Sequence, residues 1–163
     1  LKIGFLIIDM QRAFLQDQMK ELNVEGACEY INYVADLLRS SGHHIIHIQD
    51  IEGKDETPAE LLDIIPEINV DEKDTRITKI HSNAFWNTEL EHILKNSGVD
   101  LVVVSGFAAE HCVLFTYNGA LERGFKSVIL QNGILSTNID NISLTYRDRK
   151  IISYPVIESI IHI

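Results

Sequence analysis

From Ile3 to Ile8 the chain runs Ile-Gly-Phe-Leu-Ile-Ile without a polar residue, and then meets Asp9. So short an unbroken apolar run suits a strand covered on both faces, because a half-exposed strand would alternate. His44–Ile48 reads as a second strand, and Leu101–Val104 is the most strand-like tetrad in the chain. Between them the spacing becomes helical. From about Glu25 to Arg39, Cys28, Ile31, Ala35 and Leu38 fall on one face, and Ser41-Gly42 ends the pattern. A further helix is expected from about Glu110 to Arg123, stopped by Gly124. Strand followed by helix, repeated along the chain, is the mark of a parallel sheet with crossover helices. The fold class is α/β, a three-layer Rossmann-like arrangement.

Weaker signals fill the remainder. Thr57-Pro58-Ala59-Glu60 reads as a capping box opening a short helix, and Arg76–Ile80 as a short strand. Thr88-Glu89-Leu90-Glu91 repeats the capping pattern ahead of a helix that runs to Gly98. Ser127–Leu130 and Lys150–Ile152 read as strands, and Val156–Ile161 as a last short helix. With no repeat period and no linker, the 163 residues are expected to form a single domain, 1–163.

The 24 acidic residues outnumber the 14 basic ones, for a formal charge of −10. Such a field repels nucleic acid and anionic membrane, so neither is an expected partner. Two cysteines, Cys28 and Cys112, are too few for a disulfide framework and point to a reducing, cytoplasmic compartment. The first apolar run is shorter than a signal peptide requires, and no stretch approaches the ~18 apolar residues of a membrane span.

In an open parallel sheet the reactive crevice lies beyond the carboxyl ends of the strands, where the strand order reverses. The residues there are Asp9-Met10-Gln11-Arg12-Ala13-Phe14, then Lys79 through Trp86, then Ser105 through Val113. No glycine-rich phosphate loop follows the first strand, which removes dinucleotide and P-loop readings. Singly these residues are ordinary. An acid ending a buried strand is most often a cap or anchor, most lysines are solvated, and a lone cysteine is usually a buried apolar group. Cys28, on an apolar helix face, fits that description. Cys112 differs, because the first turn of a helix offers free N–H groups that favour a thiolate, as would Lys79.

Taken together, Asp9-x-Gln11-x-x-Phe14, Lys79 followed by Ala84-Phe85-x-x-Thr88-x-Leu90, and Gly106-Phe107-Ala108-Ala109-Glu110-His111-Cys112-Val113 carry a resemblance. They resemble the isochorismatase-like cysteine hydrolases, the superfamily of nicotinamidases and N-carbamoylsarcosine amidohydrolases. The resemblance implies a six-stranded parallel sheet in the order 3-2-1-4-5-6, with Asp9 and Cys112 flanking the switch point. It implies Cys112 as nucleophile, Asp9 as proton acceptor and donor touching both partners, and Lys79 holding Asp9 ionised. It also implies an oxyanion hole from the N–H groups of Ala108 and Cys112, with a cis peptide between Phe107 and Ala108. Phe14, Phe85 and Trp86 become the expected lining of a pocket for a small-molecule substrate, and a homo-oligomer, dimer or tetramer, is expected. His111 is not the expected base: neighbouring helical residues point about 100° apart, so it is given a supporting role.

Two departures stand out. Metal-containing nicotinamidases carry Asp-x-His and a further histidine after strand two, whereas Gln49–Glu56 here holds no histidine and reads as a solvated acidic turn. No metal and no cofactor are expected. After strand five the chain reads Gln131-Asn132-Gly133, where relatives have Asp-Ala or Asp-Gly. The expected activity is hydrolysis of an amide-like C–N bond through a thioester. The alternatives are vinyl-ether hydrolysis of isochorismate, which needs no cysteine, and a thiol-based binding or redox module, which needs neither Asp9 nor Lys79.

Overall fold

All six residues of β1 (Ile3–Ile8) are buried, as the unbroken apolar run requires. The structure, a computed structural model, describes all 163 residues. In chain order the elements are β1, α1 (Arg12–Leu15), α2 (Val24–Ser40), β2 (His44–Asp50), β3 (Thr75–Lys79), α3 (Leu90–Asn96), β4 (Leu101–Phe107), α4 (Leu114–Glu122), β5 (Lys126–Leu135), α5 (Ile139–Asp148), β6 (Ile151–Ile152) and α6 (Tyr154–Ile160). The strands form one six-stranded sheet in the order β3-β2-β1-β4-β5-β6. Every pair is parallel.

Side-chain alternation along β1 divides the core. Phe5 and Ile7 join α2 and α6 on one face, against Ile31, Val34, Leu38 and Ile157. Leu6 and Ile8 face the other way, toward Leu90, Leu94, Val113 and Tyr117 of the α3–α4 side. Each such buried Leu or Ile side chain contributes roughly 1.5–3 kcal/mol of transfer free energy. The two faces together make three layers.

Register sets the floor of the site. Ile8 stands opposite both Ile48 of β2 and Gly106 of β4, and Asp50 stands opposite Lys79. Gly106 adopts φ +112°, and a Cβ built there would lie 2.0 Å from the Ile8 carbonyl oxygen. Only glycine lets β4 pass so near β1 at the switch point.

Several local expectations need correction. Thr57–Glu60 opens no α-helix, only a single tight turn at Ala59–Leu62 without a side-chain cap. The chain is instead pulled down beside β1's exit, where Gln11 and Gln49 donate to the Leu62 carbonyl and Ile65 N–H donates to the Met10 carbonyl. The helix expected from Glu110 begins as a wide turn over Ala109–Val113, where Val113 N–H reaches back to the Ala108 carbonyl. β5 runs five residues past Leu130, to Leu135. It does so through an irregularity in its pairing with β4. Asn132 adopts φ 64° there, and its N–H donates to the Tyr146 hydroxyl at 2.7 Å. That gives Gln131-Asn132-Gly133 a structural reading, since Asn tolerates the left-handed region better than most residues.

Candidate active site

Four strand ends converge at one edge of the sheet. Asp9, just past β1, has φ 53°, and its N–H donates to the Ile48 carbonyl at 2.9 Å. This turns the carboxyl inward, where the residue is 2% exposed. Lys79 ends β3, with its side chain fully buried beneath it. Its ammonium has three neighbours: Asp9 Oδ2 at 3.2 Å, Asp50 Oδ2 at 3.1 Å and Cys112 Sγ at 3.3 Å. Asp50 and Cys112 accept hydrogen bonds from it, and Asp9 completes an ion pair. The ligand atoms of Asp9, Asp50 and Cys112 lie within 4.8 Å of one another.

Sequence reasoning placed Asp9 at the centre of this group. The structure gives that place to Lys79, which contacts the other three. Lys79 reaches the centre because β3 pairs with β2 in a register that sets its Cα beside Asp50.

Electrostatics follow from burial. Burial pushes the Asp9 carboxyl up from 3.8 to about 6; Lys79 and the Cys112 thiol oppose that rise, and Asp50 adds to it. One carboxylate oxygen, Oδ1, has no hydrogen-bond partner. Burial likewise pushes the Cys112 thiol up to about 12, and Asp9 raises it further against the pull of Lys79. The desolvation cost and the neighbouring carboxylate outweigh the ammonium, so Cys112 rests as a thiol beside a proton acceptor.

Other expected residues are placed variously. The Phe107–Ala108 peptide is cis. Phe14, half-buried, stacks on Phe107 with ring centroids 5.8 Å apart. Trp86 is 58% exposed and stacks on His81 at 4.7 Å. Both line an open hollow of about 360 Å³ with Asn83, Phe115 and Asn118. Phe85 belongs to the core instead: it is buried and stacked on Phe125, beneath the Arg123 guanidinium. His111 is exposed and its ring lies 3.8 Å from Glu110, so its expected support of the site is not seen.

Asp50 was missed. The acidic segment after β2 is expected to be solvated, yet the Asp50 side chain is only 13% exposed and pairs with Lys79. The signal was available: Asp50 ends β2 as Asp9 ends β1, and the same crevice rule applies to both. Gln11, fully buried, holds it there. Its amide pairs with the Asp50 backbone in both directions, Nε2 donating to the carbonyl at 2.9 Å and Oε1 accepting from the N–H at 2.7 Å.

Known proteins resemble the chain in sequence and in fold. The chain is 26% identical over 146 residues to the secreted isochorismatase effector Isc1 of Verticillium dahliae, covering 84% of this chain and 74% of that protein. An isochorismatase-like hydrolase from Alkaliphilus metalliredigens superposes with a TM-score of 0.83 at 24% identity, covering 93% of this chain and 92% of the other. The pyrazinamidase of Pyrococcus horikoshii, solved in complex with zinc, gives a TM-score of 0.80 at 19% identity, covering 94% and 99%.

A zinc ion does not fit the residues present here. Asp50 Oδ2 is engaged by Lys79, and Oδ1 accepts from Glu52 N–H at 2.8 Å. The ammonium already stands at the centre of the only cluster of three metal-type ligands, and no histidine belongs to it. The isochorismatase domain pattern matches residues 4–150, nearly the whole chain. The chain belongs to the isochorismatase family of hydrolases.

Proposed function

We propose that this hydrolase cleaves an amide-like C–N bond of a small molecule through a thioester on Cys112. The observation that carries the reading is the buried convergence of Asp9, Lys79 and Cys112. A thiol with its proton acceptor and an ammonium beside it is the equipment for nucleophilic attack on a carbonyl. Of the relatives above, the pyrazinamidase is named for cleaving an amide.

The steps use these side chains, two backbone N–H groups and one water. Asp9 takes the Cys112 proton as sulfur bonds to the carbonyl carbon. The oxygen that gains charge is received by the N–H groups of Ala108 and Cys112. As the C–N bond breaks, Asp9 gives that proton to the departing nitrogen, leaving a thioester. Water then attacks the thioester while Asp9 takes its proton. The C–S bond breaks, and the proton returns to sulfur. Lys79 steadies Asp9 throughout and balances the charge that appears on sulfur.

Turnover of small aromatic and aliphatic amides, ureides and isochorismate tests this, with mass spectrometry of the quenched enzyme. Acyl-Cys112 and full loss of turnover in Cys112→Ala are expected. Isochorismate turnover that survives Cys112→Ala indicates the protonation chemistry instead. Reactivity of Cys112 without turnover of any compound indicates a thiol-based module.

A further inference from the structure

We propose that Asp50 is a positioning residue of the hydrolytic centre, sharing the Lys79 ammonium with Asp9 so that Asp9 remains a competent proton acceptor. The proposal rests on the thioester reading above and adds a fourth member to its machinery.

Geometry carries the argument. A carboxylate paired one-to-one with a buried ammonium gives up proton affinity, because the cation favours its ionised form. Such an Asp9 would be a poor base for a thiol as weakly acidic as Cys112. Here the ammonium is divided between two carboxylates at nearly equal distance, 3.2 Å to Asp9 and 3.1 Å to Asp50. The two carboxylates lie within 4.8 Å of each other. Coulomb energy falls inversely with distance, so the repulsion from the nearby Asp50 offsets part of the attraction from Lys79. Asp9 is left with its affinity for a proton.

Asp50 is also built into place rather than free to drift. Gln11 clasps both sides of its backbone, and Glu52 N–H holds Oδ1. Ile51 N–H bonds to the Lys79 carbonyl at 2.9 Å, locking the two residues' backbones together. Gln11 therefore links the end of β1, which carries Asp9, to the end of β2, which carries Asp50. The charged and titratable groups facing Asp9 are Asp50 from β2, Lys79 from β3 and Cys112 from the turn after β4. Removing the Asp50 charge concentrates the ammonium on Asp9 and on the sulfur.

Two measurements test this, one without substrate. In a Cys28→Ser background, the pH dependence of Cys112 alkylation by iodoacetamide is compared between Asp50 and Asp50→Asn. The alkylation limb is expected to move to lower pH by roughly one unit as Lys79 turns to the sulfur. With an amide substrate, the acid limb of kcat/KM is expected to shift downward by a similar amount. The plateau in kcat should fall roughly tenfold because Asp9 becomes a weaker base, with KM little changed. Asp50→Glu should restore both limbs.

Limbs that do not move in Asp50→Asn overturn the proposal, as does a loss confined to KM. If Asp50→Asn does not fold, carbon-13 titration of the wild-type carboxyl groups decides. Asp9 and Asp50 titrating as a coupled pair supports the proposal, and independent single-step curves overturn it. Failure of the thioester reading shows separately, as turnover that survives Cys112→Ala while the alkylation limb still responds to Asp50.

Discussion

Strand β3 begins just after Asp74 and ends at Lys79, and the two ends hold buried charge in opposite ways. At the amino end, Asp74 receives Arg39 through two hydrogen bonds of 2.9 and 2.7 Å, His47 at 2.9 Å and the Asp71 N–H at 3.0 Å. Burial alone would raise its carboxyl, but Arg39, the Asp71 N–H and His47 together hold it below 3.8. Burial keeps His47 below its usual value against the pull of Asp74, to which it is hydrogen-bonded at 2.9 Å. At the carboxyl end, Asp9 shares one ammonium with a second carboxylate, keeps an unpartnered oxygen and sits near 6. Both side chains are 2% exposed, but Asp9 belongs to the buried interior and Asp74 does not, and their hydrogen bonding differs as well. A carboxylate whose lone pairs are filled serves the fold, while one left short of partners retains an appetite for protons.

The largest expected effect lies on the carboxyl side. Asp9→Asn should lower kcat by roughly 10²–10⁴-fold, the usual worth of a positioned proton acceptor, with the far-ultraviolet circular dichroism unchanged. Single-turnover kinetics on a substrate found by the amide screen would measure it. Asp74→Asn should do the reverse. It removes the charge and puts an NH₂ donor in place of one of the two oxygens that accept from Arg39 and His47, costing about 3 kcal/mol of stability in a urea titration, while activity per folded molecule persists. Loss of catalysis without loss of stability in Asp74→Asn would break the comparison.

How much of this contrast the sequence carried depends on the residue. β1 and β4 were legible because a parallel strand covered on both faces must be apolar throughout, and nothing else so short needs to be. Cys112 and Asp9 were legible because strand ends mark the crevice. Asp50 obeyed the same rule and was lost among the neighbouring acids Glu52, Asp55 and Glu56, which are largely exposed. α5 left no stripe to find. Ile139 is 76% exposed, and the helix packs through the polar Thr145 and through Ile142 and Tyr146 at the rim of the second core cluster. The central place of Lys79 depends on the β2–β3 register, which no local pattern encodes.

The pH profile sharpens the same contrast at smaller scale. If the catalytic form has Asp9 ionised, kcat/KM should rise about tenfold per pH unit below about 6 and level off above it. A profile flat between acid and neutral pH would remove Asp9 as the acceptor. Alkylation gives a weaker effect. Cys28 and Cys112 are both pushed up to about 12, so thiolate population does not separate them. Cys112 should still react several-fold faster with iodoacetamide, because it is partly exposed and has Asp9 beside it, whereas Cys28 is 3% exposed. Equal rates would mean that Asp9 does not assist the thiol.

The smallest effect concerns stability, and its sign separates the two aspartates most cleanly. For Asp74 the folded value lies below the unfolded one, so its contribution is present above the unfolded value and is lost as pH falls through the folded one. For Asp9 the folded value, about 6, lies above the unfolded 3.8. The folded state then binds the proton more tightly, and stability from this group is present below 3.8 and lost as pH rises through about 6. At neutral pH the folded protein thus holds Asp9 ionised at a cost, and Asp9→Asn relieves it. A shift of two units corresponds to about 3 kcal/mol at most. The gain should be smaller, about 1–2 kcal/mol, because Asn presents an NH₂ donor where Asp presents a second acceptor to Lys79 and Cys112. Urea titrations of both proteins across the acid-to-neutral range would show the mutant's advantage growing with pH and vanishing below 3.8. An Asp9→Asn protein less stable than wild type at neutral pH would mean that Asp9, like Asp74, is held for the fold.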